Sequence, residues 1–386
     1  MAGTNHIHHT EPYTYRNWRA FDKGKQPTET REWQLFSDAH FTGEIKDLGP
    51  YGVLNAVGAP QPGRARSALV LREGQCADER GEPNTCDAYH GGHRPDEMAA
   101  LLSLCTGARV KAGGWTRWFR DDGDPLGQPM GFGGEIDWQV SVRKLVLPRT
   151  VWTISNHVKL SEGDFADRIR TYPKLDVKVA AALIKSARLY QDALWLAEGE
   201  PHIAWLFFVS AIETAADQWR QAERTPVEHL EDVKPKLVKL LREHGGDVLV
   251  EGVANELASV TGATRNFREF ILKFDTGPPT GKRLIPVDWA NLRKAVNVVY
   301  DWRSKALHGG TPFPAPMCDP PIIQRKGNLS LDNVHTAKIA ERPMGLAAGT
   351  GGAMWDNEET PMLLHVFEHI TRGALLNWWA SSDPLP

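Results

Sequence analysis

The feature that most constrains this chain is a change of hydrophobic pattern near Asp176. Before it, glycine and proline interrupt short apolar or alternating runs: Gly52 to Val57, Ser67 to Leu71, Ile136 to Val146 and Val151 to Leu160. Such runs read as strands joined by turns. Beyond it, Leu183, Ala187, Tyr190 and Leu194 recur at helical steps, one apolar stripe on a long helix that should stop near Gly199. A chain of 386 residues exceeds what one core ordinarily serves. The expected fold is therefore α+β, with a strand-rich mixed domain over residues 1–175 followed by an all-α helical bundle over 176–386.

Finer punctuation places the other helices. Pro95, Asp96 and Glu97 suit a first helical turn, Met98, Leu101, Leu102 and Cys105 continue it, and Gly107 ends it. Pro201 opens an almost continuously apolar helix in which Glu213 is the first charge after the buried run. Further helices are expected from Pro235 to Arg242, from Glu251 to Phe274, from an Asp288 N-cap through Tyr300 to Leu307 with Gly309-Gly310 as terminator, and from Pro361 to Ala380. Pro-rich and Gly-rich sequence between about 311 and 360 reads as a surface excursion, and Gly113-Gly114 as a turn.

Composition excludes several classes. A net charge of −3 gives no global basic field, so any RNA contact must use a local basic patch. Four cysteines in so long a chain make no disulfide framework, and the first 30 residues lack the apolar run of a signal peptide. No stretch reaches the roughly 18 consecutive apolar residues of a membrane span. A cytoplasmic protein without membrane contact is expected. Cys76, Cys86, His90, His93 and Cys105 contain no Cys-x2-Cys knuckle, so neither a metal nor a cofactor is expected.

One run carries chemistry. The helix expected from Asp288 ends Val298-Val299-Tyr300-Asp301-Trp302-Arg303-Ser304-Lys305-Ala306-Leu307-His308-Gly309-Gly310, with four residues between an arginine and a histidine. Spacing alone decides nothing, because Arg224 and His229 share it across Pro226. Context does more: the Arg303 copy closes a long amphipathic helix, follows other helices and precedes a final one. The run resembles the R-x4-6-H motif of HEPN proteins, and its aromatic residue before the arginine, small polar residue after it and His-Gly ending resemble the Apea-like branch. Ala211-Ile212-Glu213 on its apolar helix is similar to that family's second helix.

The resemblance covers the C-terminal half and implies an RNA endonuclease that needs no metal. Two Arg/His pairs would face one another in a homodimer, and the product would carry a 2′,3′-cyclic phosphate. Arginine keeps its charge and can stabilise a phosphorane, whereas histidine exchanges protons near neutral pH. Arg303 and His308 are thus the expected catalytic pair. Ser304 shares a helical stripe with His308, Glu213 can pair with Arg303, and Tyr300 completes the supporting set. Lys305, together with Arg117 and Arg120 among the basic and aromatic residues from Arg109 to Arg120, is expected to contact RNA. By analogy of architecture, such a protein would be a toxin or anti-phage effector, with residues 1–175 sensing a phage-derived or regulatory partner. Two alternatives stay open: a non-catalytic HEPN module that dimerises and binds nucleotide, RNA or protein, and an enzyme using residues between 76 and 105.

Overall fold

The computed structural model describes residues 11–55, 64–77, 92–120, 125–130, 138–139, 157–160, 165–221, 225–257, 263–324, 338–344 and 352–382. It is mixed, with a strand-rich N-terminal part and a mostly helical C-terminal part. The first part contains α1 (Tyr13–Asp22), β1 (Thr30–Ser37), β2 (His40–Thr42), β3 (Ile45–Leu48), β4 (Tyr51–Asn55), β5 (Arg64–Gly74), α2 (Arg94–Thr106), β6 (Lys111–Phe119), β7 (Gln128–Pro129), β8 (Trp138–Gln139), β9 (His157–Lys159) and α3 (Phe165–Thr171). The main sheet runs β3-β4-β5-β1-β6-β7 with antiparallel neighbours, and β8 pairs with β5. Alternation does what the pattern promised: Val53, Leu71, Leu69 and Leu35 share one face by register and none is accessible to water.

Helix α2 packs on β6 and on α4 (Val177–Leu196), which joins the sheet to the helices. The remaining helices are α5 (Pro201–Gln221), α6 (Pro226–Val233), α7 (Pro235–Leu257), α8 (Ala263–Lys273), α9 (Leu292–Gly309) and α10 (Leu364–Ser381). Short strands β10 (Lys282–Leu284), β11 (Ile323–Gln324) and β12 (Lys338–Ala340) form a separate three-stranded sheet. Helix α4 begins where the pattern changes, with the Asp176 carboxylate accepting from the Lys178 amide. The hydrophobic core is continuous across this point, running from Tyr15 and Leu71 through Leu183 and Phe208 to Trp379.

Several local expectations are corrected. Helices α1 and α3 were not expected, because α1 is short and polar on one side and its apolar residues find partners only in the folded chain. Thr225 caps the unforeseen α6 in a reciprocal box with Glu228. Helix α7 extends well past Arg242 by bending at Gly246, whose φ of 65° only glycine takes easily. Residues Glu251 to Phe274 are divided between α7 and α8, not carried by one helix. Asp288 precedes a 3-10 turn (Trp289–Asn291) without capping it through its side chain, and α9 follows. Gly113-Gly114 lies inside β6, where the Phe36 ring occupies the space a Gly113 side chain would need. The Pro-rich stretch after α9 is not all surface: Phe313 stacks on Trp205 at 5.2 Å, and Met317 is fully buried. Most of Ile136 to Val146 and of Val151 to Leu160 lies outside the described residues.

Polar locks cross the core. Arg109, 1% exposed, grips the equally buried Asp38 carboxylate through Nε and Nη2 and reaches Glu198 beyond α4 at 3.2 Å. The expectation that this residue belongs to an RNA-contacting set is therefore corrected. Arg372 of α10 donates to the carbonyls of Leu104 and Cys105 at the end of α2. Glu97 accepts from the Tyr13 and Thr14 amides, 3.1 and 2.7 Å away, and so ties the first turn of α1 to α2. On α10, Glu368 accepts from the Tyr190 hydroxyl at 2.5 Å. Among the described residues no helix is long and apolar enough to cross a membrane.

These locks can be tested through stability. Replacing Arg109 with Met strands the Asp38 carboxylate in the core, which should cost about 3–5 kcal/mol in chemical denaturation; a loss below about 1 kcal/mol would mean that the pair is not a lock. Burial pushes the carboxyls of Glu97 and Glu368 from 4.5 up to about 7. Both then hold protons more tightly folded than unfolded, so stability should fall as pH rises from about 4.5 through 7. Glu368→Gln, whose amide oxygen can still accept from Tyr190, should flatten that fall when melting temperatures at about pH 5 and pH 8 are compared.

Candidate active site

Helix α5 is built to be surrounded. Trp205, Phe208, Val209, Ala211, Ile212, Ala215 and Ala216 are all inaccessible to water, and Trp205 stacks on Phe367 of α10 at 4.8 Å. Glu213 interrupts this run, with its side chain 15% exposed. A carboxylate so placed has lost much of its hydration and needs donors. Helix α9 supplies them one turn apart. Arg303 Nη2 donates to Glu213 Oε2 at 2.8 Å, and the Tyr300 hydroxyl donates to Glu213 Oε1 at 2.9 Å.

The same two side chains also touch each other, with the Arg303 guanidinium 5.4 Å from the centre of the Tyr300 ring. Phe267 of α8 packs on that ring at 5.0 Å, and Val296 and Val299 hold α9 in the core. Burial first, then the Glu213 charge, pushes the Tyr300 phenol up to about 12, so Tyr300 stays a proton donor to Glu213 at neutral pH. Arg303 is thereby fixed by one ion pair and one ring. Its Nη1 has no partner among the described residues, and the side chain keeps 21% exposure.

His308 lies in the last turn of α9 and is exposed, just before Gly310 ends the helix with a φ of 64°. It is five positions beyond Arg303, about 7.5 Å along the axis and about 140° around it. Ser304 is half-buried one turn before His308. Leu307, 51% exposed, stands beside the histidine. Lys305 lies about 160° round the helix from Arg303, its Nζ 3.9 Å from the centre of the Trp302 ring.

Arg117 and Arg120 are not part of this group. Arg117 donates to the Leu126 carbonyl at 2.7 Å, and Arg120 stacks on Trp118 at 3.7 Å, both at the β6 end of the sheet. A bulge between β1 and β6 pairs Trp33 with Trp115 and Arg31 with Trp118, which brings these tryptophans onto one face. Trp33 and Trp115 stack at 5.9 Å. No described hydrogen bond or ring contact joins that patch to α9.

Two features were not read from the sequence. Asp217, one turn beyond Glu213, has its carboxyl held above the usual range by desolvation and by Glu213, against a hydrogen bond from Asn266. The i, i+4 spacing on an exposed helix end was the available signal. The run His365-Val366-Phe367-Glu368-His369 has the order of a zinc-binding H-x-x-E-H helix. Its groups are committed elsewhere: Glu368 to Tyr190, and His369 Nε2 to the Gly277 carbonyl at 3.0 Å, while burial pushes His365 down to about 3. Among the described residues no three His, Cys, Asp or Glu side chains are arranged to hold a metal ion. Cys86 and His90 lie outside the described residues, as does Arg224 of the second Arg/His spacing.

Removing the Tyr300 hydroxyl should be felt mainly at Glu213. Tyr300→Phe is expected to lower stability by about 1–2 kcal/mol in a denaturant titration with the fold retained. No change would mean that water replaces the phenol. Comparison of the chain with models of known protein families, with curated proteins and with solved structures finds no match.

Proposed function

We propose that this chain is an RNA endonuclease of the HEPN type, with Arg303 and His308 as its catalytic pair, acting across a homodimer. The observation that carries the reading is the guanidinium of Arg303, held by Glu213 and Tyr300 with Nη1 uncommitted among the described residues, on the helix end that presents His308. A fixed cation is the right partner for a phosphate whose charge grows in the transition state, because no reorganisation is needed as the reaction proceeds. An exposed histidine can approach a substrate and exchange protons with it.

The reaction is transesterification within RNA. The 2′-oxygen attacks the adjacent phosphorus, the bond to the 5′-oxygen breaks, and the fragments carry a 2′,3′-cyclic phosphate and a 5′-hydroxyl. One proton leaves the 2′-hydroxyl and one is given to the departing oxygen. His308 of one protomer and its copy in the other divide these two transfers, and the two Arg303 guanidinium groups flank the phosphorane. Ser304, on the stripe of His308, orients the imidazole or contacts the phosphate. Regulation by the strand-rich part, in a toxin or a phage-defence effector, belongs to the same proposal and rests on analogy of architecture.

A non-catalytic module that binds nucleotide, RNA or protein is the second reading. It is favoured by the ion pair itself, since a guanidinium bound to Glu213 has fewer donors left for substrate. Cleavage of mixed-sequence RNA in EDTA separates the two. The purified protein should cut and leave cyclic phosphate ends, and His308→Ala should slow cutting by about 10²–10⁴-fold with the fold unchanged. Equal cutting by both proteins would place the site elsewhere, and absence of cutting by the unaltered chain would favour the binding module.

A further inference from the structure

Three arginines gather along the seam between α8 and α9 with too few carboxylates to match them. Arg268 of α8 donates from Nη1 to the neutral Asn297 oxygen of α9 at 3.3 Å, and its Nε is buried without a hydrogen-bond partner. Among the described residues no carboxylate lies within ion-pair distance of Arg268 or of Arg293, which is exposed one helical turn before Asn297. Arg265, one turn before Arg268 on α8, is paired with Glu269 at 2.7 Å. Burial, then the charges of Arg293 and Arg265, lowers the pKa of Arg268. Glu269 answers Arg265, and among the described residues no carboxylate answers Arg268 or Arg293.

The position of these two arginines suggests which anion. On α9, residues 293, 297, 304 and 308 fall within about 60° of one another around the helix and span about 22 Å of its length. Arg293 and Asn297 therefore share a stripe with Ser304 and His308. Because Arg268 meets Asn297 while Phe267, one residue earlier, meets Tyr300, α8 runs antiparallel to α9 along this stripe. Two cations, Arg293 and Arg268, at one end of a stripe whose other end is an exposed histidine fit a polyanion that extends past the reacting phosphate, with the exposed Asp301 near the stripe between them.

We infer that the α8/α9 seam, through Arg293 and Arg268, binds the phosphate backbone of single-stranded RNA and leads it to His308. This rests on the nuclease reading for the identity of the polyanion. A single strand fits, because one row of cations meets one backbone, and because a 2′-oxygen must swing in line with its own phosphate, which a paired strand resists.

The test is binding of a short fluorescent single-stranded RNA, followed by anisotropy over a range of salt, with the full chain carrying His308→Ala so that the RNA stays intact. Arg293→Glu should weaken binding by about fivefold or more and make the log–log salt dependence shallower by about 0.7 for each phosphate no longer neutralised. Lys294→Glu changes the charge equally but lies about 100° further round α9, where Lys294 pairs with Glu358, and should leave affinity within about twofold. Equal weakening by both changes, no effect of Arg293→Glu, or no binding by the parent overturns the seam. Cleavage by the chain with His308 intact is scored separately. Binding that depends on Arg293 without any cleavage would keep the seam and sink the nuclease.

Discussion

A carboxylate at the edge of a core must be answered, and the arrangement of the helices around Glu213 follows from that. Helix α5 is apolar on nearly every side, so it has to be covered by α4, α8, α9 and α10. Glu213 appears where that covering begins to open. Its two oxygens are met by Tyr300 and Arg303, one turn apart on α9, which fixes both the rotation of α9 about its axis and its height along α5. His308 follows a little more than one turn later. The position of the exposed imidazole is therefore inherited from an interaction it takes no part in.

The same logic of buried charge joins the sheet to the helices. Asp38 at the end of β1, Arg109 after α2 and Glu198 after α4 meet in a place almost closed to water. Such a network adds little net stability over an apolar substitute, yet breaking one member is costly, so it specifies a single way for sheet and helices to fit. Arg372 contributes in the same sense by capping the carbonyls at the end of α2 from α10. A core shared across Asp176 offers a physical route by which events at the sheet could bias α9: α2 contacts β6, α4 contacts α2, and α5 lies between α4 and α9.

Much of the helical part was legible in the sequence because its signals are local. The change of pattern at Asp176, the stripe on α4, the proline at the start of α5 and Gly310 in the left-handed conformation each act within a turn or two of themselves. So was the pairing of Glu213 with Arg303, from the isolation of one charge on an apolar helix. Helix α1 was hidden because its burial depends on Glu97 and on the sheet. Phe313 and Met317 were hidden because a Pro-rich stretch reads as surface unless it is known that Trp205 waits for it.

The sequence by itself determined where the chain turns from strands to helices and which helix carries the Arg/His pair, because periodicity and caps are written in neighbouring residues. Only the tertiary structure decided that Arg109 is a buried lock, that Arg117 and Arg120 stand apart from Arg303, and that Arg268 and Arg293 form one seam. Those facts depend on which side chains meet across elements far apart in the chain. Partners at such distances are selected by packing and desolvation, which no local pattern encodes.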